Sequence, residues 1–296
     1  MSTDSVSGDS GSRDKGTLKL EIVSPEEADW REFLAVAGAE GWRVPTTELA
    51  LFRGPLADSV LGLRCHGRFA GLVSFVHHGA SAWIGNLIIR PEWRGQGFGK
   101  HLFEQALGCL AEKKAASVWL TASEAGFPLY QRRGFDTVGR VERWILKGQG
   151  DALPCRPAGE RPEEDRPTEE ALRSADTRSW GGRRQLLDHL LKAGRPIACG
   201  GSIALLQREP GLRILGPWYG TGGGEEDHRQ LLILAIASVS AGEDLVADVL
   251  AGTLAPRILR EVGFTLQGGT RLMVSGNADG IDLNRMVSFA SLGSMG

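Results

Sequence analysis

The sequence predicts an α/β protein of two successive domains, because strand-like and amphipathic helical segments alternate in both halves. Its 296 residues are enough for two domains of ordinary size. Residues 148–170 carry prolines among acidic and arginine side chains and almost nothing to bury, which is typical of a linker. We therefore expect domains at residues 18–147 and 171–280, a disordered tail at residues 1–17 and a C-terminal tail at residues 281–296.

Composition argues against several classes of protein. The 34 basic and 36 acidic residues nearly cancel, which argues against a nucleic-acid binder held by its overall charge. The longest apolar stretch, residues 231–241, is far shorter than the ~20 residues that span a bilayer, and the N-terminus has no signal-peptide pattern. The scattered cysteines indicate neither a zinc site nor a disulfide framework. We expect a cytoplasmic monomer or homodimer that binds no metal, nucleic acid or membrane.

The first half reads as an ordered series of strands and helices. Alternating apolar residues predict a strand at residues 18–23, and Ser24 then begins a helix as its N-cap, followed by Pro25 in the first turn. A hairpin is predicted from the strand-like runs 60–65 and 69–77. Further strands are predicted at residues 82–89, 118–121, 135–141 and 144–146, with helices beginning near residue 97 and covering residues 127–133.

The second half repeats the later part of this order. The Gly263-Phe264 pair of the second half matches the Gly134-Phe135 pair of the first half, which indicates a duplicated unit. The predicted strands are residues 197–207, 212–215, 245–249, 263–266 and 271–274, and the predicted helices lie within residues 176–191 and over residues 230–240 and 255–262.

The most informative segment is residues 94–100, RGQGFGK, between a strand and an amphipathic helix. Glycines let a backbone approach a ligand closely, and the N–H groups of a helix start converge on an anion. Arg94 and Lys100 add positive charge, so a phosphate is expected here; a tight turn without a ligand is the alternative. Leu102 and Arg94 stand where the dinucleotide and Walker motifs, respectively, need a glycine, so both motifs are excluded.

Three linked motifs resemble the GNAT superfamily of N-acetyltransferases. Residues 94–99 fit the R-x-x-G-x-G pyrophosphate loop, residues 87–91 look like the L-x-V-x-P end of the fourth strand, and residues 130–135 look like Y-x-x-x-G-F. The resemblance covers residues 18–147. It implies a mixed, largely antiparallel sheet flanked by helices, with splayed central strands, and acetyl transfer from acetyl-CoA to an amine.

The resemblance also implies residue roles. Tyr130 matches the general acid that protonates the departing thiolate, although a tyrosine that only packs the helix end is the alternative. Ser123 stands where many relatives carry an asparagine that contacts the coenzyme. The coenzyme A contacts implied are Leu87, Ile88, Ile89, Arg94, Gly95, Gln96, Gly97, Phe98, Gly99, Lys100 and Ser123.

The general base and the acceptor site are less defined. Glu124, His77 and His78 are candidate bases, with an ordinary structural role or a water chain as alternatives. For the acceptor pocket the candidates are Glu124, Trp218 and Tyr219. The alternative for the two aromatic residues is that they pack in the core. A small amine, an amino acid, an antibiotic and a protein N-terminus all stay open as acceptors, and a small molecule is favoured because no peptide groove is evident.

The second half resembles the degenerate half of the tandem, YitH-like acetyltransferases. Leu259 stands where the first half has Tyr130, and three carboxylates at residues 225–227 occupy the position where a pyrophosphate needs positive potential. We expect one coenzyme site per chain and a second half that forms one wall of the acceptor site. The alternatives are a non-catalytic acetyl-CoA-binding sensor or scaffold, and an acyltransferase that uses a longer acyl-CoA.

Overall fold

The computed structural model describes residues 19–148 and 169–296, so the expected tail at residues 1–17 and most of the expected linker lie outside the described residues. No helix within those two ranges is both long and apolar enough to cross a membrane. The strands are β1 (Leu20–Val23), β2 (Val60–Cys65), β3 (Arg68–His78), β4 (Ser81–Ile89), β5 (Ser117–Ala122), β6 (Asp136–Leu146), β7 (Gly194–Cys199), β8 (Ser202–Glu209), β9 (Leu212–Gly220), β10 (Asp244–Leu250), β11 (Thr265–Gly276) and β12 (Met286–Ser288). The helices are α1 (Glu27–Ala39), α2 (Thr46–Phe52), α3 (Phe98–Glu112), α4 (Phe127–Gln131), α5 (Glu169–Trp180), α6 (Leu186–Leu190), α7 (Glu225–Ile236) and α8 (Ala255–Glu261).

These strands form one mixed sheet that helices cover on both faces, which confirms the predicted fold class. Their order is β1-β2-β3-β4-β5-β11-β6-β10-β12-β9-β8-β7. Most neighbours are antiparallel, whereas β4 with β5 and β9 with β10 are parallel. Both faces of β3 are buried: Val73 belongs to the apolar cluster that contains residues of α3, and Leu72 to the cluster that contains residues of α1. Alternate side chains of a strand point to opposite faces, so helices are needed on both sides.

The two halves exchange their last long strands. Strand β11 of the second half lies between β5 and β6 of the first, with Met273 opposite Leu120 on one side and Gly139 opposite Leu272 on the other. Strand β6 in turn lies beside β10 of the second half, where Trp144 is opposite Ala247. Each half therefore completes the sheet of the other.

The strand after each Gly-Phe pair is longer than the sequence predicts. Residues 135–146 and 263–274 are each expected to form two short strands, but the structure has one continuous strand in each place, β6 and β11. In β6 the extended pattern simply continues through Glu142 and Arg143. In β11 the glycines at 268 and 269 lie at a bulge in the ladder with β6 rather than in a turn.

A central apolar core joins the halves, and the expected C-terminal tail contributes to it. Trp180 of α5 lies edge-on to Trp83 of β4 and Trp119 of β5, at ring separations of 6.4 and 6.1 Å. Phe289 packs against Trp83 at 5.5 Å, and Met295 is buried in the same cluster. Residues 281–296 are thus a structural segment that includes β12, because their apolar side chains are buried between the halves.

A buried carboxylate provides a second link between the halves. Helix α2 begins after Pro45, which has no side-chain acceptor for the first N–H groups of the helix. Glu209, at the end of β8, supplies it by accepting from the Thr46 N–H at 2.7 Å, the Thr46 hydroxyl at 2.5 Å and the Thr47 N–H at 3.1 Å. The position of α2 therefore depends on the second half.

Residues 1–148 produced alone are expected to be insoluble or unfolded, because β5 and β6 then lose β11 and present unpaired edges to water. Production together with residues 149–296 should restore a soluble complex. Soluble yield and thermal unfolding by circular dichroism, compared with the full chain, measure both outcomes. A 1–148 piece that unfolds cooperatively on its own would show instead that the first half is an independent domain.

Candidate active site

Strands β4 and β5 separate soon after they begin. They pair only where Ser81–Trp83 runs beside Ser117–Trp119, although β4 continues to Ile89 and β5 to Ala122. Beyond that point β4 is hydrogen-bonded to β3, and β5 to β11, each on its outer side. The facing edge of β4 from residue 84 onward therefore presents backbone groups to a cleft, as expected for splayed central strands.

The C-terminal segment fills the narrow end of this cleft. The Gly293 carbonyl accepts the Trp83 indole N–H at 3.1 Å and lies 3.5 Å from the Thr121 hydroxyl, so it contacts both strands. Residue 85 has to be glycine here, because a Cβ would approach the Ser294 backbone within 2.5 Å. Residues 293–294, called the wedge from here on, thus contact both β4 and β5 on the face of the sheet that carries Trp83 and Thr121.

A bulge in β4 marks the inner end of its free edge. The ladder with β3 passes from Gly85 opposite Ser74 to Ile88 opposite Leu72, so two residues of β4 face one of β3. Asn86, one of the two, has a φ of +52°, a conformation that asparagine tolerates better than most residues. Its side-chain amide donates to Glu48 Oε1 at 3.0 Å and to the Ser74 hydroxyl at 3.1 Å. The bulge thus connects β4 to α2.

At the other end of β4, the glycine loop precedes helix α3, which begins at Phe98. Gly95 and Gly97 have φ values of +74° and +86°, and a Cβ on either would meet no atom within 4 Å. The first backbone bond of the helix joins His101 N–H to the Gly97 carbonyl at 3.0 Å, so the N–H groups of residues 98–100 have no partner within the helix. Open space before converging N–H groups at a positive helix end fits a diphosphate.

Side chains of the loop mostly fix its shape. Arg94 donates to the Ile89 carbonyl at 2.9 Å and to Glu40 at 2.6 Å, and Gln96 donates to the Glu92 carbonyl at 3.0 Å. Phe98 is buried and stacks on Trp93, so only its backbone is available to a ligand. Lys100 is largely exposed, and its Nζ lies 4.0 Å from Glu104 Oε1, so it adds a positive charge near the loop.

A cavity of about 290 Å³ lies at the inner end of the cleft. From the first half it is lined by Ile84, Asn86, Leu87, Ser123 and Tyr130, among others. From the second half come Asp248 of β10, residues 267–270 of β11, and Leu292 with Gly293 of the wedge. The free edge of β4 therefore runs from this cavity to the glycine loop, and both halves enclose the cavity.

Tyr130 is both a core residue and a cavity residue. Its ring packs against Phe103 at 5.0 Å and Phe135 at 6.3 Å, while the residue also lines the cavity. Burial raises the pKa of its phenol above the usual range, so it stays protonated and can donate a proton. Ser123 accepts the Gly126 N–H at 3.2 Å at the start of the α4 turn and lines the same cavity.

Sequence reasoning missed Glu48, the most buried carboxylate of the cavity. Its side chain is 3% exposed, and burial is the main cause that raises its pKa; Glu209 raises the pKa further and Arg143 lowers it. The available signal was a glutamate among the apolar residues of positions 44–52, a segment for which no helix is predicted above. No group of three His, Cys, Asp or Glu side chains in the described ranges is arranged to hold a metal ion.

The three candidate bases lie outside the cavity lining. Glu124 is largely exposed and pairs with Arg271 at 2.8 Å. His78 is buried, with its Nε2 3.1 Å from the Met295 carbonyl, and burial lowers its pKa to about 3. Burial also lowers the pKa of His77. The structure brings none of the three next to Tyr130.

The structure also places Trp218 and Tyr219 away from the cavity. Trp218 is fully buried in the second half and donates to the Ser202 hydroxyl at 2.7 Å. Tyr219 is buried in the central core and donates its hydroxyl proton to Asp176 at 2.5 Å. Both faces of β9 are covered, which is why both neighbouring residues are buried. The second half lines the cavity through β10, β11 and the wedge instead.

At the equivalent position in the second half, an internal carboxylate already occupies the loop. Asp227, in the first turn of α7, accepts the Gly201 N–H at 3.0 Å and lies against residues 200, 201 and 223. Glu225 forms ion pairs with Arg229 and Arg257. A bound anion would have to displace Asp227, which supports the prediction of a single coenzyme site.

Comparison with known proteins identifies the domain around this site. Residues 58–137 match the family described as "Acetyltransferase (GNAT) domain". A Pyrococcus horikoshii structure, provisionally assigned as an acetyltransferase, aligns at a TM-score of 0.74 and 16% identity over 93% of this chain and 95% of its own. A GCN5-related N-acetyltransferase from Sphaerobacter thermophilus aligns at 0.61 and 16% identity over 90% and 98%. No curated protein matches significantly in sequence. The family match indicates an acyltransferase; at this identity the structural likeness shows the fold.

Gly97→Leu is expected to weaken coenzyme A binding at least about tenfold, because the side chain strains a positive φ and fills the open space before α3. Isothermal titration calorimetry of coenzyme A against the full chain measures the Kd. Gly108→Leu, in the same helix at a site with open space and an ordinary φ, is the matched control and should bind normally. An unchanged Kd for Gly97→Leu would contradict the assignment of the loop.

Proposed function

We propose that this protein, which carries a GNAT domain match, is an acetyl-CoA-dependent N-acetyltransferase that transfers the acetyl group directly to the amine of a small molecule. We further propose that it acts in the cytoplasm and belongs to the tandem, YitH-like subgroup, with a second half that binds no coenzyme. The observation that carries this proposal is the free edge of β4, which joins an anion-binding helix start to a cavity containing Tyr130.

The residues of the cleft fit acetyl-CoA. The N–H groups of residues 98–100 would hold the diphosphate. The open-edge backbone of residues 87–89, apart from the Ile89 carbonyl that accepts from Arg94, would pair with the pantetheine arm as an added strand does. Acetyl-CoA supplies a thioester, an acyl group activated by a thiolate leaving group. Since residue 87 also lines the cavity, this arrangement directs the reacting end of the coenzyme toward Tyr130.

Tyr130 would act as the proton donor. A phenol with an ordinary pKa near ~10 can protonate a thiolate whose ordinary pKa is near ~8.5. Burial raises the pKa of Tyr130, and the same buried environment would raise the pKa of a thiolate placed beside it. The proton would then pass to the departing sulfur as the amide bond forms, and the protons that the amine nitrogen loses would return to the Tyr130 phenolate and to solvent.

The second half would close the acceptor side of the site. Residues 267–270, Asp248 and the wedge line the cavity opposite the first half. This lining would exclude water and hold the amine near the acyl group. This role would explain why a half with Leu259 in place of the catalytic tyrosine and with Asp227 in its loop is retained in the chain.

Tyr130→Phe is expected to lower kcat by about 10²- to 10³-fold while the Kd of acetyl-CoA stays nearly unchanged, because a proton donor acts mainly in the transition state. Stopped-flow thiol release in a single turnover measures the chemical step. Tyr219→Phe, the substitution at the only other tyrosine, is the control: it should lower the melting temperature by removing the bond to Asp176 but leave kcat within about threefold. Full single-turnover activity in Tyr130→Phe would show that Tyr130 only packs the core.

A further inference from the structure

The charged side chains that line the cavity differ in whether they form ion pairs. They are Arg43, Glu48, Arg143 and Asp248. Arg143 forms a two-point pair with Asp248 at 2.8 and 2.6 Å, and Arg43 pairs with Asp244 at 3.0 Å. Across residues 19–148 and 169–296, Glu48 has no ion-pair partner. Glu48 is therefore the charged group of the cavity that a ligand of opposite charge could neutralise.

The hydrogen bond that the Glu48 side chain accepts comes from a neutral group. Its Oε1 accepts the Asn86 amide at 3.0 Å. Burial is the main cause that raises the pKa of Glu48, and Glu209 raises it further, whereas the Asn86 amide and Arg143 lower this pKa. A buried carboxylate without a counter-charge is unfavourable, so a cation arriving beside it gains a strong charge-assisted contact.

Both arginines of the cavity already form ion pairs with carboxylates of the protein. Arg143 Nε and one terminal nitrogen are engaged by Asp248, and that terminal nitrogen also donates to the Leu292 carbonyl at 2.9 Å. Arg43 pairs with Asp244 through one terminal nitrogen. An acceptor carboxylate would therefore lie near Glu48 and Asp248, and each guanidinium of the cavity that it could meet already pairs with a carboxylate of the protein.

We propose that Glu48 binds the acceptor amine as an ammonium ion, and that the acceptors are small cationic amines without a neighbouring carboxylate rather than amino acids. This inference rests on the acetyltransferase function proposed above. Apolar side chains of Val44, Ile84 and Leu292 also line the cavity, so a small apolar or aromatic body attached to the ammonium fits a volume of about 290 Å³. Glu48 is thereby the specificity-determining residue of the site.

Pairs of candidate acceptors, each an amine and the amino acid that differs from it by one carboxylate, test this inference on the full-length protein. Tyramine and tyrosine, tryptamine and tryptophan, and histamine and histidine are each assayed for acetyl-CoA-dependent thiol release. Within each pair the amine is expected to have a kcat/KM at least about tenfold higher than that of the amino acid. Glu48→Gln, which keeps the shape and the contact with Asn86, should lower the amine kcat/KM by about 10- to 100-fold, mainly through KM, and shrink this preference.

Glu112→Gln is the control for loss of a carboxylate, because Glu112 is exposed at the far end of α3, and it should behave as the unaltered protein. Amino acids used as well as their amines, or an unchanged amine kcat/KM in a folded Glu48→Gln protein, would overturn the role of Glu48 while leaving the acetyltransferase function intact. If neither the amines nor the amino acids support acetyl-CoA turnover, the proposed function itself is contradicted instead. The wild-type comparison within each pair decides the question even if Glu48→Gln fails to fold.

Discussion

The separation of β4 from β5 is the constraint on which the rest of the site depends. Two parallel strands that begin in register would normally continue their ladder, and here they stop after Trp83 opposite Trp119. Each strand is held on its outer side, β4 by β3 and β5 by β11, and the wedge contacts both. The unpaired backbone that results is polar and needs partners, so the cleft is suited to a ligand that provides hydrogen bonds.

Much of this constraint is supplied by the second half. Without β11 the strand β5 would have an open edge, and without residues 293–294 the narrow end of the cleft would be empty. Glu209 caps α2, and α2 carries Glu48 into the cavity. The second half thus acts on the site through strand exchange, the wedge and a helix cap, although its own glycine loop is occupied by Asp227.

The sequence reveals the parts of the site that depend on local spacing. The glycine loop and the start of α3 follow from a short motif and helical periodicity. The open edge of β4 and the place of Tyr130 follow only from the family resemblance, and the structure has Tyr130 in the cavity lining. Glu48 and the wedge meet the cavity only through long-range packing, which one sequence does not encode locally. Trp218 and Tyr219 illustrate the same limit: aromatic residues beside a turn resemble a pocket, but both faces of their strand are covered.

A crystal structure of the full-length protein with coenzyme A tests the central claim most directly, because it shows whether the free edge of β4 is the binding surface. The account predicts a diphosphate within hydrogen-bond distance of the N–H groups of residues 98–100. It also predicts a pantetheine arm paired with residues 87–89 and a thiol in the cavity beside Tyr130. Coenzyme bound at the second-half loop near Asp227, or a β4 edge left unpaired by the bound coenzyme, would contradict it.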